Sequence, residues 1–105
     1  MESKHVLKAD LRPFDACWRG IKNFEFRKND RNFVAGDTIA IREHDAVTGL
    51  YTGRELIGDI TYVARGPDYG IPEGYAVLSC DWTHRADTNH PAWVLPITRP
   101  RVSHD

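Results

Sequence analysis

Between Gly20 and Arg31 the chain reads Gly20-Ile21-Lys22-Asn23-Phe24-Glu25-Phe26-Arg27-Lys28-Asn29-Asp30-Arg31, and Gly36-Asp37 closes the segment. Phe24 and Phe26 stand at alternate positions, with ionisable or amide side chains between them. Successive side chains of an extended chain point to opposite faces, so this alternation predicts a β-strand. In that strand Phe24 and Phe26 are expected to face a core, with Asn23, Glu25, Arg27 and Asn29 on the opposite face. Residues 22 to 31 hold two carboxylates, four cations and two amides. Such a face reads either as the charged outer surface of a small β domain or as a polar recognition ledge. The ledge would suit something small, anionic or rich in hydrogen-bonding edges.

At 105 residues the chain has room for one domain around one core. Its 14 Lys and Arg nearly balance 15 Asp and Glu, which excludes an overall basic field of the kind that grips a long duplex. Locally the balance differs: Arg19, Lys22, Arg27, Lys28 and Arg31 face only Glu25 and Asp30, a surplus that suits one or a few phosphates. No apolar run approaches the roughly 20 residues that span a bilayer, and Met1 to His5 lack the apolar core of a signal peptide. Cys17 and Cys80 are therefore expected to be reduced and at least partly buried, in a cytoplasmic protein without membrane contact.

A first strand is predicted at His5–Ala9, followed by a helix capped by Asp10 with Pro13 in its first turn. Phe14, Cys17 and Trp18 make its apolar stripe, and Gly20 ends it. The second strand runs from about Asn23 to Lys28; a turn at residues 29–32 returns Phe33 and Val34 to the core. Ala35-Gly36-Asp37 turns into a third strand carrying Ile39 and Ile41. A fourth spans Arg54 to Val63 with Gly58 at a bulge, and a fifth spans Tyr75 to Trp82. Residues 1–83 form the domain on this reading, and residues 84–105 a C-terminal extension that Trp93, Val94 and Leu95 dock back. One helix among about five strands is an α+β plan, and glycines at the bends favour a closed or nearly closed barrel.

Several of these residues recur together in a known pattern. His5-x-Leu7-Lys8, Phe14, Gly20-x-Lys22-x-Phe24-Glu25-x-Arg27-Lys28-Asn29-Asp30-Arg31, Gly36-Asp37, Glu43, Tyr51-Thr52-Gly53-Arg54 and Ile60-Thr61-Tyr62 resemble the ASCH/PUA-like superfamily. The resemblance covers roughly residues 5 to 80, and is to the branch of short domains found in bacterial and phage genomes. It implies a PUA-like β-barrel with the helix between strands 1 and 2. Beside the helix it implies a cleft lined by the Gly-x-Lys-x-x-Glu-x-Arg segment. Domains of this type are associated with RNA or modified nucleosides. A subset resembles small amidohydrolases that deacetylate N4-acetylcytidine with a Lys and a Thr of this segment and a Glu further on. Lys22 matches that lysine, whereas Glu25 stands at the threonine position, which moves the expectation from catalysis towards recognition.

The residues themselves allow both. Glu25 and Arg27 lie about 7 Å apart along one strand face, so their ends can meet. They can neutralise each other, or read a base, the carboxylate accepting from an exocyclic amine and the guanidinium donating to a carbonyl or phosphate. Lys22 is a phosphate contact or an activated amine. Lys8, Lys28, Asn29 and Arg31 join the candidate ligand contacts, as do Tyr51 and Arg54, which can stack a base and hold its phosphate. The first function reading is an RNA- or modified-nucleotide-binding module. The second is an amidohydrolase acting on an N-acylated nucleoside, with Lys22 and Glu25 as its catalytic pair. No cofactor is expected. Cys80, His84, Asp87 and His90 lack the tight paired spacing of a structural metal site.

Overall fold

The computed structural model describes residues 4–90 and 94–97. They form an α+β fold with six strands rather than five. β1 (Lys4–Ala9) leads into α1 (Leu11–Trp18), followed by β2 (Phe24–Lys28), β3 (Thr38–Asp45), β4 (Leu50–Arg65), β5 (Tyr75–Asp87) and β6 (Val94–Pro96). The sheet order is β1-β3-β4-β5-β2, with β6 on the far half of β5. β1 and β3 run parallel, and every other pairing is antiparallel. Among the described residues no helix is long and apolar enough to cross a membrane.

α1 begins where its capping chemistry directs. Asp10 accepts the Leu11 N–H at 2.9 Å, and Gly20 adopts a left-handed φ of 78° that turns the chain back under the helix. Phe14 and Cys17 are fully buried from α1. They meet Leu7, Ile39, Ile41, Leu56, Ile60, Leu78 and Trp82 from the concave face of the sheet. Truncating a ring such as Phe14 in this core costs about 3–5 kcal/mol. Gly58 marks the predicted bulge: the β4–β5 register shifts there, and a Cβ would collide with the Asp81 carbonyl.

The sheet curls into a half-barrel whose end strands, β1 and β2, share no backbone ladder. Two guanidiniums cross the seam instead. Arg27 donates to the Lys8 carbonyl and Arg31 to the Val6 carbonyl, each at 2.9 Å. At one end of this seam the buried His5 ring meets Asp37 (Nε2 to Oδ2, 2.8 Å), whose carboxylate also accepts the Val34 N–H. That pair ties β1 to the turn before β3.

Three expectations need correction. Phe24 and Phe26 point outward and are about half exposed, while Glu25 between them is buried. The alternation was legible, but period two does not say which phase faces in, and a one-residue shift swaps the faces. Phe33 enters the core as expected, whereas Val34 stays exposed. β5 continues past Trp82 to Asp87, pairing with Arg54 to Ile57 of β4, and Val94–Pro96 docks on it as β6. Residues from Thr83 onward thus include sheet, where a loosely docked extension was expected. Trp93 lies outside the described residues.

Candidate functional site

The turn after α1 builds the site. The N–H groups of Ile21 and Lys22 both donate to the Ala16 carbonyl, at 2.9 and 3.1 Å, which folds the chain back beneath the helix end. The Trp82 indole donates to the Lys22 carbonyl, and the Cys80 N–H donates to the Asn23 carbonyl at 2.9 Å. These bonds fix where β2 starts on β5, and therefore send Glu25 inward under α1.

The Glu25 carboxylate is the centre of the cluster. Lys22 Nζ lies 3.1 Å from Oε1, and Arg27 Nη1 lies 3.6 Å from Oε2, one cation at each oxygen. The Glu25 side chain is 5% exposed, against 20% for Lys22 and 26% for Arg27, so the anion is sealed and the cations reach the surface. Cys17 Sγ sits 4.0 Å from Oε1 and 3.9 Å from Lys22 Nζ. Burial is the main cause that pushes the Cys17 thiol up to about 11, with the Glu25 charge adding to it against Lys22. Cys80 is pushed up to about 12, first by burial, then by the charges of Glu25 and Cys17. Both cysteines are free and remain protonated thiols at neutral pH. Beneath the carboxylate they are weak donors and apolar filling. On the outer side, Lys22 Nζ stands 4.8 Å from the centroid of the Phe24 ring.

The structure brings Lys22, Glu25 and Arg27 together and sends the other candidates elsewhere. Lys8 offers Arg27 its backbone carbonyl while its side chain is exposed. Arg31 closes the seam, and the Asn29 side chain accepts the Phe33 N–H. Both therefore have turn and seam roles. Lys28 points outward with Phe24 and Phe26. Tyr51 and Arg54 line a separate recess of about 250 Å³ with Arg42, Gly53, Glu55 and Thr88.

Arg54 is strongly engaged there. Its Nε and Nη2 each donate at 2.8 Å to the two oxygens of the buried Glu43, which also accepts the Thr52 hydroxyl. The guanidinium stacks on Trp18 at 4.6 Å and on Phe14 at 5.4 Å. The Arg54 hydrogen bonds are the main cause holding the Glu43 carboxyl below its ordinary range. Arg54 thus buttresses the outer end of α1. Tyr51 is exposed, edge-on to His44.

Cys17 and Cys80 belong to the floor of the cluster, although only their burial was expected from the sequence. The signal for Cys17 was its place on the α1 stripe, which the turn at Gly20 folds back over Glu25. Among the described residues, no group of three or more His, Cys, Asp or Glu is arranged to hold a metal ion.

A family model described as a domain of unknown function, DUF3850, matches residues 4–80, from β1 into β5. The chain is also similar to an uncharacterized 12.9 kDa protein in the GpA 3′ region of Escherichia phage P2. The two are 39% identical over 78 residues, which cover 74% of this chain and 68% of the phage protein. The matched span contains the whole Cys17, Lys22, Glu25, Arg27 and Cys80 cluster.

Proposed function

The chain belongs to the DUF3850 family, and for this member we propose that the Lys22–Glu25–Arg27 cluster recognises a nucleotide, either a modified nucleoside or a unit of RNA. The observation that carries the reading is a sealed carboxylate held between two cations that reach the surface. A base edge offers both donors and acceptors, and a phosphate needs cationic donors. Lys22 and Arg27 supply the donors, and Glu25 supplies the acceptor when a ligand draws either cation aside. One carboxylate against two cations leaves a net positive site in a chain with a formal net charge of −1. That contrast suits a single phosphate better than a duplex.

Assignment to the ASCH/PUA-like superfamily is part of the same proposal. In its favour are the helix between β1 and β2, the curled sheet, and a Gly20-x-Lys22-x-x-Glu25-x-Arg27 segment lying against that helix. Two free buried cysteines suit a reducing cytoplasm. Isothermal titration with cytidine monophosphate tests the reading. Wild type is expected to bind and Glu25→Gln to lose at least tenfold in affinity; equal affinities for the two proteins would refute it.

The 3.1 Å contact between an amine and a carboxylate favours a second reading, an amidohydrolase for N-acylated nucleosides with Lys22 and Glu25 as the reacting pair. Release of cytidine from N4-acetylcytidine, abolished by Lys22→Ala, is its expected signature. No turnover at high enzyme concentration removes it for that substrate.

A further inference from the structure

The inversion of β2 leaves a row of aromatic rings on the convex face of the sheet. Phe24, Phe26 and Tyr62 are 46%, 49% and 55% exposed, and Tyr75 and Tyr69 extend the row. The register assembles them: Phe24 pairs with Ser79, which pairs with Tyr62, and Phe26 pairs with Val77, which pairs with Ala64. Lys28 pairs with Tyr75 in the next row. Paired residues share a face, so Phe24 and Tyr62 stand as walls on either side of Ser79. Successive rows lie about 7 Å apart along the strands. Phe26 and Tyr75 are stacked with centroids 5.5 Å apart and an interplanar angle of 12°. Tyr69, at the tip of the β4–β5 loop, stands against Tyr62, side chain to side chain.

Charges of both signs border this face, with the cations along the β2 edge. Lys22 lies over Phe24, and Lys28 follows Phe26 along the β2 edge. Asp59 and Asp81, paired in register and exposed, lie in the row beyond Phe24 and Tyr62 at the Lys22 end, inward of the β2 edge, so an anionic backbone is held to that edge. Flat rings flanked by cations along one edge match a partner with flat apolar faces and a negatively charged backbone. A duplex hides its base faces, and 14 Lys and Arg against 15 Asp and Glu give no overall basic field to grip one. We propose that the outer face of β2, β5 and β4 holds two or three unpaired bases of a single-stranded nucleic acid. The bases stack on Phe24, Phe26 and Tyr62, and the phosphates follow Lys22 and Lys28. The proposal extends the nucleotide reading of the Glu25 site to a longer ligand, because Lys22 touches both Glu25 and Phe24 across the sheet edge.

Fluorescence anisotropy with a labelled uridine octanucleotide tests it. Wild type is expected to bind the single strand, more weakly as salt rises, and to bind a duplex of equal length poorly. Phe26→Ala and Tyr62→Ala should each weaken binding about 5- to 100-fold, the range of one base–aromatic stack. Phe26→Leu, which keeps apolar bulk without the ring, should weaken it as well; both replaced side chains are exposed, and unchanged thermal melting verifies the fold. Cytidine monophosphate binding should survive these changes, since neither ring touches Glu25 or Arg27. Ring-dependent binding of the octanucleotide, with no mononucleotide binding, would support this proposal and refute the Glu25 reading. An octanucleotide affinity unchanged in the Phe26→Ala/Tyr62→Ala double variant overturns it. So does equal affinity for duplex, or reversible self-association that the same substitutions abolish, which would make the face a contact between copies.

Discussion

Replacing Lys22 by Met should destabilise the protein more than replacing Glu25 by Leu, although the two changes break the same ion pair. At an effective dielectric of about 20, two unit charges at the 3.1 Å of Lys22–Glu25 attract by about 5 kcal/mol before any desolvation is counted. The Arg27–Glu25 pair at 3.6 Å attracts by a slightly smaller amount on the same scale. Against this stands the several kcal/mol needed to take a carboxylate out of water. The balance is asymmetric because only Glu25 is sealed. Lys22→Met leaves a buried carboxylate with one cation; Glu25→Leu leaves two cations that can turn to solvent. Removing one partner of a fully buried pair costs about 3–5 kcal/mol, and the remaining Arg27 reduces this to about 2 kcal/mol for Lys22→Met. Glu25→Leu, set beside the buried thiols of Cys17 and Cys80, should cost under about 1 kcal/mol, and the double variant about the same. Urea unfolding at pH 7 reads all three, and the Lys22→Met loss corresponds to a drop of roughly 10 °C in Tm. A Glu25→Leu cost equal to or above that of Lys22→Met would contradict this asymmetry, because the pair would then be stabilising in itself.

Other outcomes follow from separate parts of the fold. Arg31→Ala removes the bond to the Val6 carbonyl, and should cost about 1 kcal/mol and speed amide exchange in β1 relative to β4; unchanged exchange there would mean that the seam does not hold β1. Glu43 titrates below its ordinary range in the folded chain, so its stabilisation is present above about pH 4.5 and fades as pH falls through the lowered value. A Glu43→Gln variant should lose that part of the acid dependence of Tm, and an identical acid profile would contradict it. Cys17 and Cys80, buried with thiols pushed up to about 11 and about 12, should resist a thiol reagent at pH 7.5 and both react in guanidinium. Rapid labelling of the native protein would show that the site floor is open.

Much of the scaffold was legible where a single residue type has a single local use. Asp10 capped the helix, Pro13 fell in its first turn, Gly20 ended it and Gly58 marked a bulge. Each is a backbone matter decided by neighbours in sequence. The facing of β2 was not legible, because alternation carries no sign; that sign is set by the Trp82–Lys22 and Cys80–Asn23 bonds, both non-local. The continuation of β5 was missed for a similar reason. The register shift around Thr83 breaks the alternation, and Arg85 turns inward to donate to the Trp18 carbonyl at 2.6 Å. The seam roles of Arg27 and Arg31 depend on backbone carbonyls, which leave no trace in side-chain pattern. Of the candidate site, the Glu25–Arg27 pairing was readable from strand spacing, while Lys22 entered through the motif resemblance. The thiol floor and the outer rings required the fold.

The proposed engagement of a nucleotide by Glu25, on the concave side of β2, can be located residue by residue. Amide and side-chain chemical-shift mapping of the protein titrated with cytidine monophosphate tests it most directly. Saturable shifts are expected at Cys17, the Lys22–Arg27 segment and Cys80 alone, and none in Glu25→Gln. Shifts confined to the Tyr51–Arg54 recess, or none at millimolar nucleotide, would contradict it.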